Sequence, residues 1–262
     1  MLLLAGCASA PPPPGDAIPF GLLGDTPYND GEIQRLEGVI DAINRADLAF
    51  VVHVGDIGSA RNACNDEWLQ ARKAQFGRIR HPFVLLPGDN EWTDCKDQLG
   101  RLAAWRRTFC FQERIPLERQ PGEYCEHVRW EAGGFVFVAL NVQGSNNNVT
   151  HAEEHGARMK AVYAWLDEAV RAAQGKRGLI VLMQANPFVV LPHDGYAELR
   201  ARLAALGERM PGRVTLVHGD THLFHDDEPI PGVRRVEVWG SPFVRWLAAG
   251  VGEGGLTVRQ GP

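Results

Sequence analysis

Short apolar runs bounded by Gly, Pro and Asp alternate along the chain with segments whose apolar residues recur every three or four positions. The runs predict strands over 20–23, 49–54, 83–86, 135–140, 179–183, 214–217 and 233–238. The periodic segments predict helices. The first begins near Asp30 as N-cap, sets Ile33, Leu36, Ile40 and Ile43 on one face, and ends around Arg45. The longest carries Met159, Val162, Leu166, Val170 and Ala173, and a third carries Tyr196, Leu199, Leu203 and Leu206. These stripes are core faces. Several strand runs are apolar almost without a break, which indicates burial on both sides within an α/β domain. Alternation along them is too weak to say whether helices or a second sheet cover them.

Polar residues at the ends of the runs change the picture. The runs lead into Gly24-Asp25, Gly55-Asp56, Pro87-Gly88-Asp89-Asn90-Glu91, Gln184-Ala185-Asn186-Pro187 and His218-Gly219-Asp220-Thr221-His222. One Gly-Asp after a strand is ordinarily a turn. Recurrence in matching contexts points to a shared site, because ligands of open α/β sheets gather beyond the carboxyl ends of the strands. Asp25, Asp56, Asp89 and Asp220 brought together would repel and protonate unless cations lay among them. Carboxylates shared by two ions about 3.5 to 4 Å apart are a usual device for activating water and clamping a phosphoryl group.

In type and order these motifs resemble those of the calcineurin-like metallophosphoesterases, which run Asp-x-His, Gly-Asp, Gly-Asn-His with a following acid, a His-containing segment, and Gly-His-x-His. The resemblance extends from about Leu22 to Ser241. It implies a four-layer αββα sandwich, two facing mixed β-sheets flanked by helices, with a two-metal site at one edge. It makes Asp25 the first Asp, Asp56 the carboxylate bridging both ions, and His222 the final His. Pro27 stands where the first motif has its His, so the first ion's set becomes Asp25, Asp56 and His222. In the third motif an ungapped alignment makes Asp89 the metal ligand, with Asn90 replacing the proton-donating His. A shift by one makes Asn90 the ligand and Glu91 the acid, and both alignments stay open. For the second ion Gln184 takes the place of a His, with Asn186 as the shifted alternative, and Asp220 replaces the first His of the last motif.

Such an oxygen-rich set with one imidazole suits Mn²⁺ or Mg²⁺, and also Ca²⁺, better than Zn²⁺ or Fe. The resemblance then implies in-line attack by metal-bound hydroxide on a small phosphomonoester or phosphodiester, with Asn90 and Glu91 as the residues beside the leaving group. The alternative is a non-catalytic relative that keeps the fold and binds metal or ligand, since the His losses fall on catalytic positions. His53 and His218 could supply nitrogen or orient ligands. His151-Ala152-Glu153-Glu154-His155 also fits the H-x-x-E-H pattern of a zinc protease, but Thr150 and Glu153 form a capping box that puts both histidines in a first helical turn. The preceding Asn146, Asn147 and Asn148 read as a loop able to face substrate.

At 262 residues and 45% hydrophobic content, the chain can bury one large domain, expected over 16–262. A net charge of -5 without a basic cluster excludes the usual footprint of nucleic-acid binding. Leu4-Ala5-Gly6-Cys7 resembles a bacterial lipobox, making 1–15 a truncated lipoprotein signal, in which Cys7 is a lipid anchor, followed by the Pro11 to Pro14 spacer. Export to the periplasm or outer membrane of a Gram-negative bacterium follows as an expectation. The other cysteines, Cys64, Cys95, Cys110 and Cys125, include no C-x-x-C pair and suit disulfides. Of the three connectivities, Cys64 with Cys95 and Cys110 with Cys125 is preferred, since the first two each follow a Gly-Asp motif on one expected rim.

Overall fold

The computed structural model describes residues 17–261, so Cys7 and the proline spacer lie outside the described residues. In chain order the elements are β1 (Ile18–Leu23), α1 (Asp30–Arg45), β2 (Phe50–His53), α2 (Asp66–Phe76), β3 (Phe83–Leu85), a 3₁₀ turn (Asp89–Glu91) and α3 (Gln98–Phe109). There follow β4 (Glu118–Arg119), β5 (Val128–Ala132), β6 (Phe135–Ala139), the short turn α4 (Gly144–Asn147), α5 (Ala152–Ala172), β7 (Gly178–Leu182) and α6 (Ala197–Arg209). The chain closes with β8 (Val214–His218), β9 (His225–Ile230), β10 (Val233–Glu237), β11 (Leu247–Gly252) and β12 (Gly255–Gln260). All seven expected strands are present.

The strands form two mixed sheets, one ordered β12-β11-β1-β2-β3 and the other β4-β5-β6-β7-β8-β10-β9. Their facing sides share one core, with Phe20, Phe50 and Val52 from the first sheet against Trp130, Phe137, Ile180 and Val217 from the second. Phe20 stacks on Phe50 at 5.0 Å and meets Phe137 edge-on at 5.4 Å, which ties the two sheets at their centre. The outer side of the first sheet packs on α1, α2 and α3 through Leu36, Ile40, Leu69 and Trp105. That of the second packs on α5 and α6 through Val162, Leu166, Leu199 and Leu203. The result is the αββα sandwich. Strands buried on both faces have no polar side to show, which explains the unbroken runs.

Two N-caps differ from expectation. Asn29, not Asp30, caps α1, its side chain accepting from the Glu32 N–H at 3.1 Å. His151 precedes α5 without a side-chain cap, so the Thr150–Glu153 box does not form. Both expected disulfides are present, Cys64–Cys95 and Cys110–Cys125. No helix among the described residues is long and apolar enough to cross a membrane.

Candidate metal centre

β1, β2 and β3 are parallel, as are β6, β7 and β8, so the carboxyl ends of both parallel sets can deliver their loops to one edge. The loops are bonded to one another there. The Asp25 N–H donates to Gly55 O at 2.9 Å, the Gly219 N–H to Gln184 O at 3.0 Å and the Ser241 N–H to Asp25 O at 2.8 Å. Asp25, Asp56, Asp220 and His222 all have left-handed backbones, with φ of 48, 57, 80 and 68°. Such conformations are uncommon outside glycine and persist where surrounding bonds over-determine a strained loop.

Asp56 lies at the centre of the polar contacts. Its Oδ2 accepts from the Tyr28 hydroxyl at 2.8 Å, Asn90 Nδ2 at 2.9 Å and Gln184 Nε2 at 3.3 Å, and its Oδ1 from the Asn90 N–H at 3.1 Å. The Tyr28 oxygen also lies 3.2 Å from His222 Nε2. On its far side His222 Nδ1 is 2.8 Å from Ser241 O, an atom that can only accept, so Nδ1 carries the hydrogen. The Nε2 lone pair is thereby turned inward, 3.8 Å from Asp25 Oδ1. An imidazole anchored in this way is poised to ligate a cation.

Asp89 and Asp220 form a second focus. A Cβ added to Gly144 would lie 2.6 Å from Asp89 Oδ1 and 2.7 Å from Asp220 Oδ1, so both oxygens border one point that only glycine leaves open. Asp89 Oδ2 accepts from the Ser145 hydroxyl at 2.8 Å. Asp89 Oδ1 and Asp25 Oδ2 are buried without a hydrogen-bond partner. Orphaned carboxylate oxygens are costly unless a ligand completes them. Burial, with repulsion from neighbouring carboxylates behind it, raises Asp25 and Asp56 well above the ordinary range and Asp89 to about 7. Asp220 is raised by burial as well. A divalent cation would reverse that balance. Two orphaned oxygens, an inward imidazole lone pair and four clustered Asp residues therefore fit divalent metal. Tyr28, Asn90 and Gln184 all aim donors at the Asp56 carboxylate. Among the described residues only Cys110, Cys125 and Glu126 hold three such ligand atoms within 4.8 Å of one another, and those sulfurs form a disulfide.

Other expected residues are placed differently. Glu91 is fully buried, and its carboxylate accepts from the backbone N–H groups of Gly88 at 2.6 Å, Ile57 at 2.7 Å and Asp56 at 3.2 Å. It clamps the second and third loops together and does not reach outward as an acid. Gln184 gives its oxygen to the Gly144 N–H at 2.6 Å and turns its amide N–H toward Asp56, so it faces the carboxylates as a donor. The Asn186 side chain is occupied by Thr221 and the Phe188 N–H.

The asparagine turn faces inward. Asn146 bonds Pro192, His193 and Gly195, Asn147 bonds Arg158 and Gly195, and Asn148 bonds Gln98 and Glu154. The protease-like motif does not assemble, since Glu154 pairs with Arg158 while His155 faces Asn147. His53 spans the first two loops, with Nε2 3.0 Å from Thr26 O and Nδ1 accepting from the Gly55 N–H at 3.2 Å. His218 Nδ1 lies 2.8 Å from Gly219 O. Tyr28 escaped the sequence reading. Its only signal was a position three residues beyond Asp25, in a motif where Pro27 had displaced the expected His.

No family model matches the chain, and no curated protein matches it by sequence. Solved structures do match. A dimetal phosphatase from Danio rerio superposes with a TM-score of 0.62 at 16% identity, covering 93% of this chain and 95% of that one. A purple acid phosphatase from yellow lupin gives 0.58 at 13% identity over 94% of this chain, and a 5'-nucleotidase precursor from Thermus thermophilus gives 0.50 at 15% over 93%. The chain spans about half of those two proteins, 52% and 54%. The fold is therefore that of the calcineurin-like metallophosphoesterases, the family that the strand-end motifs resemble.

Proposed function

We propose that the chain is a metal-dependent phosphoesterase acting on small phosphomonoesters or phosphodiesters. Two features carry this reading together. Asp25 and Asp89 bury carboxylate oxygens without partners, and the His222 lone pair is aimed into the same edge of the sandwich. Asp25, Asp56 and His222 would hold one divalent ion, and Asp89 and Asp220 would hold the other. Tyr28 offers the first ion a further oxygen where its expected His is missing, and Asn90 remains beside Asp56 as a donor. Bound cations would screen phosphoryl charge and lower the pKa of water at the site. The oxygen-rich set favours Mn²⁺ or Mg²⁺. Two disulfides support an exported protein, and a lipid anchor at Cys7 stays part of the proposal.

A non-catalytic metal- or ligand-binding protein is the second reading. It is favoured by the three donors that already satisfy Asp56 and by the closed position of Glu91. Hydrolysis of aryl phosphate monoesters and diesters by the purified chain, scanned over Mn²⁺, Mg²⁺, Ca²⁺ and Zn²⁺ with Asp56→Asn in parallel, decides between the two. Turnover that needs both metal and Asp56 supports the enzyme. Metal-induced stabilisation without turnover supports the binding protein.

A further inference from the structure

Between β6 and α5 the chain winds left-handed through four residues in succession, Ser145, Asn146, Asn147 and Asn148, with φ of 46, 57, 57 and 55°. L-residues enter that region singly and at a cost, Asn more readily than most. A run of four persists only where its surroundings over-determine it. The three asparagines supply the anchors. Arg158, buried and paired with Glu154, donates to Asn147 Oδ1 at 2.7 Å and to Asn147 O at 2.9 Å. The Asn147 N–H donates to the Tyr196 hydroxyl at 3.1 Å, which itself donates to Gln143 O at 2.6 Å. The Asn146 side chain is held by Pro192, His193 and Gly195, and that of Asn148 by Gln98 and Glu154. Ser145 breaks the pattern. It is exposed, and its hydroxyl makes one hydrogen bond among the described residues, to Asp89 Oδ2 at 2.8 Å.

That bond falls at the second focus of the candidate centre. Asp89 is buried, its Oδ1 has no partner, and Asp89 Oδ1 and Asp220 Oδ1 border the same point beside Gly144. Gly144 is itself fixed, its N–H donating to Gln184 Oε1 at 2.6 Å. A carboxylate free to rotate about its side-chain torsions could carry Oδ1 away from that point. With Oδ2 pinned on Ser145, Oδ1 is the oxygen left to face it. We propose that Ser145 is a positioning residue for the second divalent ion, held against Asp89 by a left-handed turn that Arg158 and Tyr196 anchor through Asn147. The inference rests on the two-ion reading of the centre. It names a residue on which occupancy of the Asp89–Asp220 half depends and which lies outside every strand-end motif. A group hydrogen-bonded to a metal ligand fixes the ligand's direction, so its loss lowers metal affinity although no ligand is removed. Glycine is the informative replacement, because it accepts a left-handed backbone without a steric penalty while deleting the hydroxyl.

The test is a calorimetric titration of the metal-free chain with Mn²⁺, comparing wild type, Ser145→Gly and His222→Asn, the last to mark the ion that the imidazole holds. Wild type is expected to bind two equivalents. Ser145→Gly should weaken one of them by roughly 10- to 100-fold, and that one should be the equivalent which His222→Asn leaves in place. Thermal melts of the metal-free proteins accompany the titration. Ser145→Gly should melt with wild type, since relief of the left-handed backbone offsets the lost hydrogen bond. Both equivalents bound as in wild type, or both weakened alike with a lowered metal-free melt, overturns the assignment and leaves the two-ion centre standing. A wild type that binds fewer than two equivalents overturns both.

Discussion

The backbone N–H of Asp220 donates to Asp25 Oδ1 at 2.9 Å, although 195 residues separate the two. Asp25 follows β1 in one sheet and Asp220 follows β8 in the other. This bond closes the candidate centre across the sandwich. It also leaves Asp25 Oδ2 buried and without a partner, while Oδ1 lies 3.8 Å from His222 Nε2. A metal site at this edge would need both sheets correctly packed, which would link its metal affinity to folding.

Glu91 is expected to act as a clamp. Glu91→Gln leaves one acceptor oxygen for three backbone donors and should lower stability by about 1 to 3 kcal/mol. Rates on aryl and alkyl esters should fall by a common factor. Chemical denaturation with paired kinetics checks both, and a selective loss on the alkyl ester would return Glu91 to the chemistry.

Tyr28 places its oxygen between Asp56 and His222. Tyr28→Phe keeps the ring and removes that oxygen, so the fold should survive while affinity for Mn²⁺ drops by about 10- to 100-fold. Calorimetric titration of the metal measures the change, and unaltered affinity would confine Tyr28 to packing.

The Cys64–Cys95 bridge spans 31 residues and secures the segment that follows the Asp89–Glu91 turn. Replacing both cysteines with serine should cost about 3 to 4 kcal/mol by the loop-entropy relation. Thermal or urea melts with and without Mn²⁺ should show the loss in both states, and a variant as stable as wild type would contradict the estimate.

His127 is fully buried, and burial pushes its imidazole down to about 4. Its unfolded value is near 6.5, so between about 6.5 and 4 the unfolded chain binds the proton and the folded one does not. Stability from this site is present above that window and is lost as the pH falls through it, by up to about 3 kcal/mol. His127→Gln should flatten the corresponding part of the wild-type stability curve between pH 7 and 4. Parallel curves for the two proteins would show that His127 is solvated.

Local chemistry made much of this protein legible in its sequence. Most of the seven expected strands were visible because burial on both faces demands continuous apolar runs, as in β2, β6, β7 and β8. The Gly-Asp ends were visible because carboxylates repeated in matching contexts are hard to explain as separate turns. The short helices α2 and α3 and the antiparallel strands β5, β9, β11 and β12 were not. β9 is polar along most of its length and β12 is largely exposed, so neither has an apolar signature, and both are held by ladder hydrogen bonds to β10 and β11.

Contacts between distant segments decided the rest. Only the packed sandwich could turn Glu91 inward onto three backbone donors, aim Gln184 at Asp56 as a donor, or set Tyr28 beside His222. Residue types and their order are local properties, carried by each segment alone. The direction of a side chain and the hydrogen bonds that consume it depend on which distant backbone groups arrive beside it, and those are set by the packing of the two sheets.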